Sequence, residues 1–171
     1  LLQREGRRSF TIDFAIIGRP LIIVDRGLSY ERTYPRMMKF GPFRLSLPNH
    51  GFLRLDGGSM FGTVPKAIWS RAMAADADNR IALATRSLLI ETDGRTILVD
   101  AGTGGHWPAK FKNIFAVEHL SPREAGLDPD RITDLVITHL HFDHGGGIRA
   151  PDGGPAYPKA RIHVQKANLE T

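Results

Sequence analysis

Thr138-His139-Leu140-His141-Phe142-Asp143-His144-Gly145-Gly146-Gly147 gathers three of the chain's seven histidines and one carboxylate within six residues. Imidazole nitrogen and carboxylate oxygen are the donors that zinc and its transition-metal neighbours take. From composition, a His-x-His-x-Asp-His string should arise by chance in about one chain of this size in ten thousand. Its presence therefore points to metal-assisted hydrolysis. In an extended segment residues two apart project to one side, so His139 and His141 are expected to grip one ion together. Asp143 and His144 are adjacent, point differently and suit a second ion nearby. Two ions about 3.5–4 Å apart share a bridging water and bring its pKa towards neutrality. The resulting hydroxide attacks an ester, lactone, amide or phosphoester, while the other ion offsets charge on the oxyanion. Asp143 is the catalytic candidate, as acceptor of a proton from that water. Zinc fits best, and iron, manganese or cobalt take the same donors. The competing interpretation is a surface histidine cluster that collects metal adventitiously.

Such donors need a rigid mount. Leu135-Val136-Ile137 reads as a short buried strand that runs directly into the cluster. Gly145-Gly146-Gly147 permits tight turning and close approach of backbone behind it. Upstream, the apolar runs 87–91 and 96–100 flank Thr92-Asp93-Gly94-Arg95, and Asp-Gly between two such runs signals a hairpin. The second run ends in Asp100 and Gly102-Thr103-Gly104-Gly105. Residues 43–47 alternate with period two and read as a strand, followed by another over 52–55. A short helix is expected over 67–75. Ser121-Pro122-Arg123-Glu124 has the cap, first-turn proline and reciprocal glutamate of a helix start. A last strand is expected over 161–164, and 166–170 opens a further helix. Strands dominate with helices between them, which implies a layered α/β or α+β fold.

At 171 residues the chain is one domain or part of a larger one. Its hydrophobic fraction of 42% and charged fraction of 24% place it among folded globular chains rather than disordered ones. It has no cysteine, so any metal must be held by nitrogen and oxygen. A chain without cysteine suits a reducing cytosol, and cytoplasmic placement is the expectation. The net charge of +5 is uneven: residues 1–40 carry eight bases against four acids, and the rest fifteen against fourteen. The basic part is not the part with the histidines, which argues against a nucleic-acid partner at the site. The longest apolar run, 14–24, is interrupted by Arg19-Pro20 and is too short to span a bilayer, so no membrane association is expected. No small-residue cleavage site follows it. Regular patterning starts near Phe40. Residues 1–36 are accordingly expected to be disordered or a non-native leader, with Met37-Met38 as the natural start and 37–171 as a truncated domain.

The run Thr138 to Gly147 resembles the signature of the metallo-β-lactamase superfamily of metallo-hydrolases. Leu98-Val99-Asp100-Ala101-Gly102 resembles that family's earlier strand end bearing an aspartate. The resemblance implies an α+β fold, an αββα sandwich with mostly antiparallel or mixed sheets and flanking helices. These residues would form its N-terminal half, with a dinuclear site at the edge of two packed sheets. It implies that His139 and His141 bind the first metal and Asp143 and His144 the second, with two zinc ions in the complete protein. It further implies that Asp100 braces the metal loop by hydrogen bonding without binding metal. On its own terms Asp100 is a strand-terminal turn residue.

A finer resemblance covers Leu55-Asp56-Gly57-Gly58-Ser59-Met60-Phe61-Gly62 and Pro65-Lys66-x-x-Trp69, followed by Asn79-Arg80-Ile81. These residues resemble the branch containing N-acyl-homoserine lactonases. Under that resemblance Met60, Phe61 and Trp69 line a substrate pocket; apolar residues at such spacing also serve as core. His106 and Trp107 follow the turn 102–105 and are candidates for the pocket border, against which His106 also reads as a satisfied loop histidine. The family's third histidine for the first metal, its bridging aspartate and its last histidine match nothing here. His163 lies mid-strand and reads as structural. His50 and His119 have no neighbours in sequence and are expected at the surface.

The implied activity is opening of a lactone or small ester, with that small molecule as partner. Alternatives on the same fold are a thioester hydrolase of glyoxalase II type or a phosphodiesterase. The reading of a different class is a truncated, non-catalytic metal-binding fragment, and the 171 residues alone are expected to be incomplete and inactive. No sequence feature fixes an oligomeric state. Gly102-Thr103-Gly104-Gly105 lacks the Lys-Ser/Thr of a phosphate loop, and no Gly-x-Ser-x-Gly nucleophile elbow is present.

Overall fold

The computed structural model describes residues 37–170. The expectation for residues 1–36 lies outside the described residues. The chain divides into two compact units. Among the described residues the smaller spans 56–81, and the larger holds 37–55 and 82–170.

Among the described residues nine strands and four short helices follow one another: β1 Met38–Phe40, β2 Phe43–Ser46, β3 Asn49–Asp56, α1 Gly57–Phe61, α2 Lys66–Trp69, β4 Arg80–Arg86, β5 Leu88–Thr92, β6 Arg95–Val99, α3 Ala109–Ile114, β7 Glu118–His119, β8 Asp134–Ile137, α4 Phe142–Gly145 and β9 Arg161–Val164. The main sheet runs β1-β2-β5-β6-β8-β9, and a second sheet runs β4-β3-β7. Pairing is antiparallel from β1 to β6 and parallel from β6 to β8 to β9. This is an α+β fold with mixed sheets. Among the described residues no helix is long and apolar enough to cross a membrane.

The β5–β6 hairpin forms at the expected place. Thr92 pairs with Arg95 across Asp93-Gly94, and Gly94 takes a φ of 73°. What matters for chemistry is the parallel register that follows. Leu98 lies beside Leu135, and Val99 beside Val136. The residues just past the C-terminal ends of β6 and β8 therefore emerge side by side at one edge of the sheet. Leu98, Ala101, Leu127, Ile132, Leu135, Ile137 and Tyr157 form the buried cluster beneath that edge. A fully buried leucine or isoleucine contributes about 2 kcal/mol by transfer from water, so this cluster anchors the mount of the histidine loop.

Three helix expectations contract. Over 67–75 only α2 is helical. The chain continues into a turn where the Asp76 carboxylate accepts the backbone N–H of Asp78 and of Arg80, an alternative to helix ladder bonds. At Ser121 the reciprocal cap does form: Ser121 N–H and Oγ–H both donate to Glu124 Oε2, at 2.8 and 2.7 Å. It caps a single turn, because Gly126 turns left-handed at φ 81° and Asp128-Pro129 follows. Residues 166–168 make one 3-10 turn. Strand β4 was not expected, since its alanine-rich sequence carries little alternation.

Asp134, at the start of β8, is 4% exposed. Arg95 donates to both its oxygens at 3.1 and 2.6 Å, Thr133 Oγ1 donates at 2.7 Å, and His163 Nε2 lies 2.9 Å away. His163 thus ties β9 to β8. The Arg95 guanidinium, with the Thr133 and His163 contacts, holds the Asp134 carboxyl well below the usual carboxylate range. A depressed folded pKa stabilises above the unfolded value of about 4 and loses that contribution as pH falls through it. Asp134→Asn should therefore lower the melting temperature at pH 7, and the gap to the parent should close as pH is lowered below about 4.

Candidate metal centre

Asp100 is the first residue beyond β6, and its N–H donates to Val136 O at 2.8 Å, extending the parallel ladder by one step. Its φ of 63° is a conformation that aspartate tolerates better than most side chains. That turn swings the carboxylate across the end of β8. Asp100 Oδ1 accepts the Thr138 N–H at 2.9 Å, and the Thr138 hydroxyl lies 2.9 Å from each carboxylate oxygen. Asp100 Oδ2 also meets His144 Nδ1 at 2.8 Å. One carboxylate, 9% exposed, thus joins both ends of the histidine loop.

These bonds set the imidazoles. A carboxylate only accepts, so His144 presents Nδ1–H to Asp100 and keeps its Nε2 lone pair for another partner. The Thr138 hydroxyl donates to Asp100, so its oxygen accepts from His139 Nδ1, 3.1 Å away. His139 keeps Nε2 in the same way. His141 caps α4, its carbonyl accepting the N–H of His144 and of Gly145 at 3.1 and 2.9 Å. Asp143 and His144 therefore stand on a short helix, not on an extended loop. The His139 ring lies 4.5 Å from that of His141 and 4.0 Å from that of His144, centroid to centroid. Asp143 Oδ2 is 3.5 Å from His144 Nε2.

Glycines lock this loop from behind. Ala101 N–H donates to His144 O at 2.8 Å, and Gly147 N–H to Gly102 O at 3.0 Å. A Cβ on Gly104 would overlap the Gly146 carbonyl, one on Gly146 the Thr103 carbonyl, and one on Gly147 the Ala101 carbonyl. Two glycine-rich segments, distant in the chain, thereby pack backbone to backbone.

The donor set is three imidazoles and one carboxylate, which fits a borderline divalent ion such as zinc. Two of the rings are held in the tautomer that a metal requires. Among the described residues no group of three or more such side chains is arranged to hold an ion as it stands.

Beside the loop stands an aromatic group. Phe142, between His141 and Asp143, meets Trp107 at 5.0 Å and Phe115 at 5.6 Å, and Phe111 stacks on Phe115 at 6.3 Å. Trp107 is pinned by its Nε1–H to Thr103 O at 2.9 Å. Phe111, Ile114, Leu140 and Phe142 leave this surface exposed. The spacing 107, 111, 115 is one residue per helical turn, a signal present in the sequence.

Residues 80–167 match the family described as the metallo-beta-lactamase superfamily. The chain belongs to that superfamily. It is 38% identical to N-acyl homoserine lactonase AiiB of Agrobacterium fabrum, over 35% of this chain and 27% of that protein. Its fold matches a probable metal-dependent hydrolase from Staphylococcus aureus with a TM-score of 0.71 and 33% identity, covering 78% of this chain and 50% of that one. It also matches AidC, a dizinc quorum-quenching lactonase in complex with a product, N-hexanoyl-L-homoserine, with a TM-score of 0.61 and 26% identity over 80% of this chain and 46% of that one. The chain spans half the length of these solved relatives or less, and about a quarter of the lactonase AiiB.

Within this metallo-β-lactamase superfamily chain the remaining candidates fall in different places. Met60, Phe61 and Trp69 belong to the smaller unit. There Trp69 is buried, with its ring against Gly57 and stacked on Phe61 at 5.1 Å, while Met60 is exposed. His106 is exposed in the larger unit. His50 departs from expectation: it is 1% exposed, not a surface residue, because Gly102 lets backbone come against its Cβ and Leu120 N–H bonds to its carbonyl at 2.8 Å. His119 is half-buried next to it.

Proposed function

We propose that these residues belong to a zinc-dependent hydrolase that opens a lactone or small ester bearing an apolar chain. The observation that carries the reading is the Asp100 carboxylate, which fixes His144 directly and His139 through Thr138. His139, His141, Asp143 and His144 would hold the metal, two ions in the complete protein. When bound, such ions supply a water of lowered pKa and positive charge for a developing oxyanion. Asp143 would also accept a proton from that water. Trp107, Phe111, Phe115 and Phe142 offer an apolar wall to an acyl chain. The names of two relatives support the substrate class: one is an N-acyl homoserine lactonase, the other a dizinc lactonase with a bound product.

The test uses the protein carrying these residues, loaded with zinc and assayed for acid release from N-hexanoyl-homoserine lactone. His141→Ala should weaken zinc binding by about a hundredfold or more and remove turnover. Lactone opening that persists in excess chelator would rule the scheme out. Turnover of a thioester alone would transfer the site to the glyoxalase II-type alternative. Zinc binding without any hydrolysis would favour the non-catalytic reading.

A further inference from the structure

Strands β6, β8 and β9 begin together at the edge of the main sheet opposite the histidine loop. β8 runs from Asp134 at that edge to Ile137 beneath the loop, a span of about 13 Å. Asp134 pairs with Ile97 of β6 on one side and with Arg161 of β9 on the other. Register partners share a face of a sheet, and so do residues two apart on one strand. Arg95, Asp134 and Arg161 therefore stand in a row on one face. With Thr133, Lys159 and Ala160 they line an open cavity of about 680 Å³. None of the proposed metal ligands borders it.

The side chains of this cavity carry three positive charges and one negative. The negative charge is enclosed by its partners. Arg95 Nε and Nη2 donate to the two oxygens of Asp134, Thr133 Oγ1 donates at 2.7 Å and His163 Nε2 lies at 2.9 Å. Arg161 and Lys159 are exposed and make no ion pair among the described residues. Arg95 is engaged on one edge of its guanidinium only. The opposite edge, which carries Nη1, meets no acceptor among the described residues, and the side chain is 55% exposed. Asp134, 4% exposed, thus clamps Arg95 from behind and leaves a second fork of N–H donors free.

A clamped guanidinium with a free fork, beside a second guanidinium and an ammonium, suits phosphate. The fork meets two phosphate oxygens at once, and clamping removes part of the ordering cost of the long side chain. Arg161 and Lys159 together match a dianion, whereas a carboxylate would leave one of them unmatched. The cavity holds about twenty waters, more than a bare phosphate ion displaces, which favours a phosphomonoester over the free ion. We propose that this cavity binds the phosphate dianion of a small molecule between Arg95, Arg161 and Lys159. The site stands apart from the proposed hydrolysis and does not depend on it.

Calorimetric titration of the full chain at neutral pH and low salt tests this, with chelator present to keep phosphate from any metal. Ribose 5-phosphate and inorganic phosphate are the probes, and ribose is the blank. The expected result is saturable one-to-one binding of phosphate and none of ribose. Tighter binding of the ester assigns the source as a phosphomonoester, and equal affinity assigns it as the free ion; either supports the site. Combining Lys159→Gln with Arg161→Gln should weaken binding by about tenfold or more. Arg95→Lys, which keeps the charge and loses the fork, should weaken it several-fold, with folding checked by circular dichroism. If Arg95→Lys does not fold, the exposed pair carries the test. Lys110→Gln with Lys112→Gln, exposed lysines of α3 that do not line the cavity, should leave affinity unchanged. No saturable binding of either phosphate, full affinity in the Lys159 and Arg161 double variant, or an equal loss in the α3 variant would each overturn the proposal.

Discussion

Asp100→Ala should lower the melting temperature of the chain by about 10 °C and its affinity for zinc by one to two orders of magnitude. The substitution strips the partner from the Thr138 N–H, the Thr138 hydroxyl and His144 Nδ1 at once. Bonds to an ionised, mostly buried carboxylate contribute more than neutral ones, and the donors left behind lose their acceptor, so a cost of about 2–4 kcal/mol is expected. Alanine at φ 63° adds backbone strain that aspartate tolerated. Asp100→Asn separates the two effects. It keeps the shape and the left-handed turn, and its carbonyl oxygen still accepts from Thr138. Its amide nitrogen cannot accept from His144, which then loses the bond that fixes its tautomer. The expected result is a melting temperature within a few degrees of the parent but zinc binding weakened nearly as much as in Asp100→Ala. Thermal melts and competition against a chelator of known affinity read the two quantities. An Asp100→Asn variant that bound zinc as tightly as the parent would remove the carboxylate from any role in presenting the histidines.

Why these bonds arise was partly legible in the sequence. Asp93-Gly94 between apolar runs announced the β5–β6 hairpin, and a hairpin ending in Asp100 fixes where that carboxylate appears. The run 135–137 announced β8. Nothing local announced that β6 and β8 are parallel neighbours, and that pairing is what brings Asp100 to Thr138 across 38 residues. The extended backbone expected of His139 and His141 is found, with His141 at φ −64° and ψ 150°, but Asp143 and His144 stand on the helical turn that His141 caps. His50 was misread because burial depends on what comes against it: Gly102 and Leu120 reach it from distant parts of the chain. At Ser121 local chemistry was read correctly and its extent was not, because Gly126 and Pro129 outweigh a good cap. The aromatic group beside the loop was the reverse case. Its spacing at 107, 111 and 115 stood in the sequence, but only contact with Phe142 links it to the metal loop.

The three glycines after the cluster are not equivalent, and that difference yields the sharpest steric prediction. A methyl on Gly145 would meet only Ile148, Ile137 and Leu140 atoms at 3.8–3.9 Å, ordinary contact distance. Gly145 ends α4 with a φ of −98°, open to any residue. Gly145→Ala should therefore change stability by less than about 1 kcal/mol. A methyl on Gly147 would run into the Ala101 carbonyl, with the Ala101 Cβ only 3.3 Å from it. Ala101 cannot retreat: it is 1% exposed and its N–H is bonded to His144 O. Something in the backbone must move, and overpacking of this kind costs about 3 kcal/mol or more. Because Ala101 is tied to His144, the displacement is passed to a proposed ligand, so zinc affinity should fall along with stability in Gly147→Ala. In Gly145→Ala both should stay near the parent. Equal losses in the two variants would mean that the loop needs glycine for flexibility, whereas loss in Gly147→Ala alone assigns the requirement to the close approach of two backbone segments.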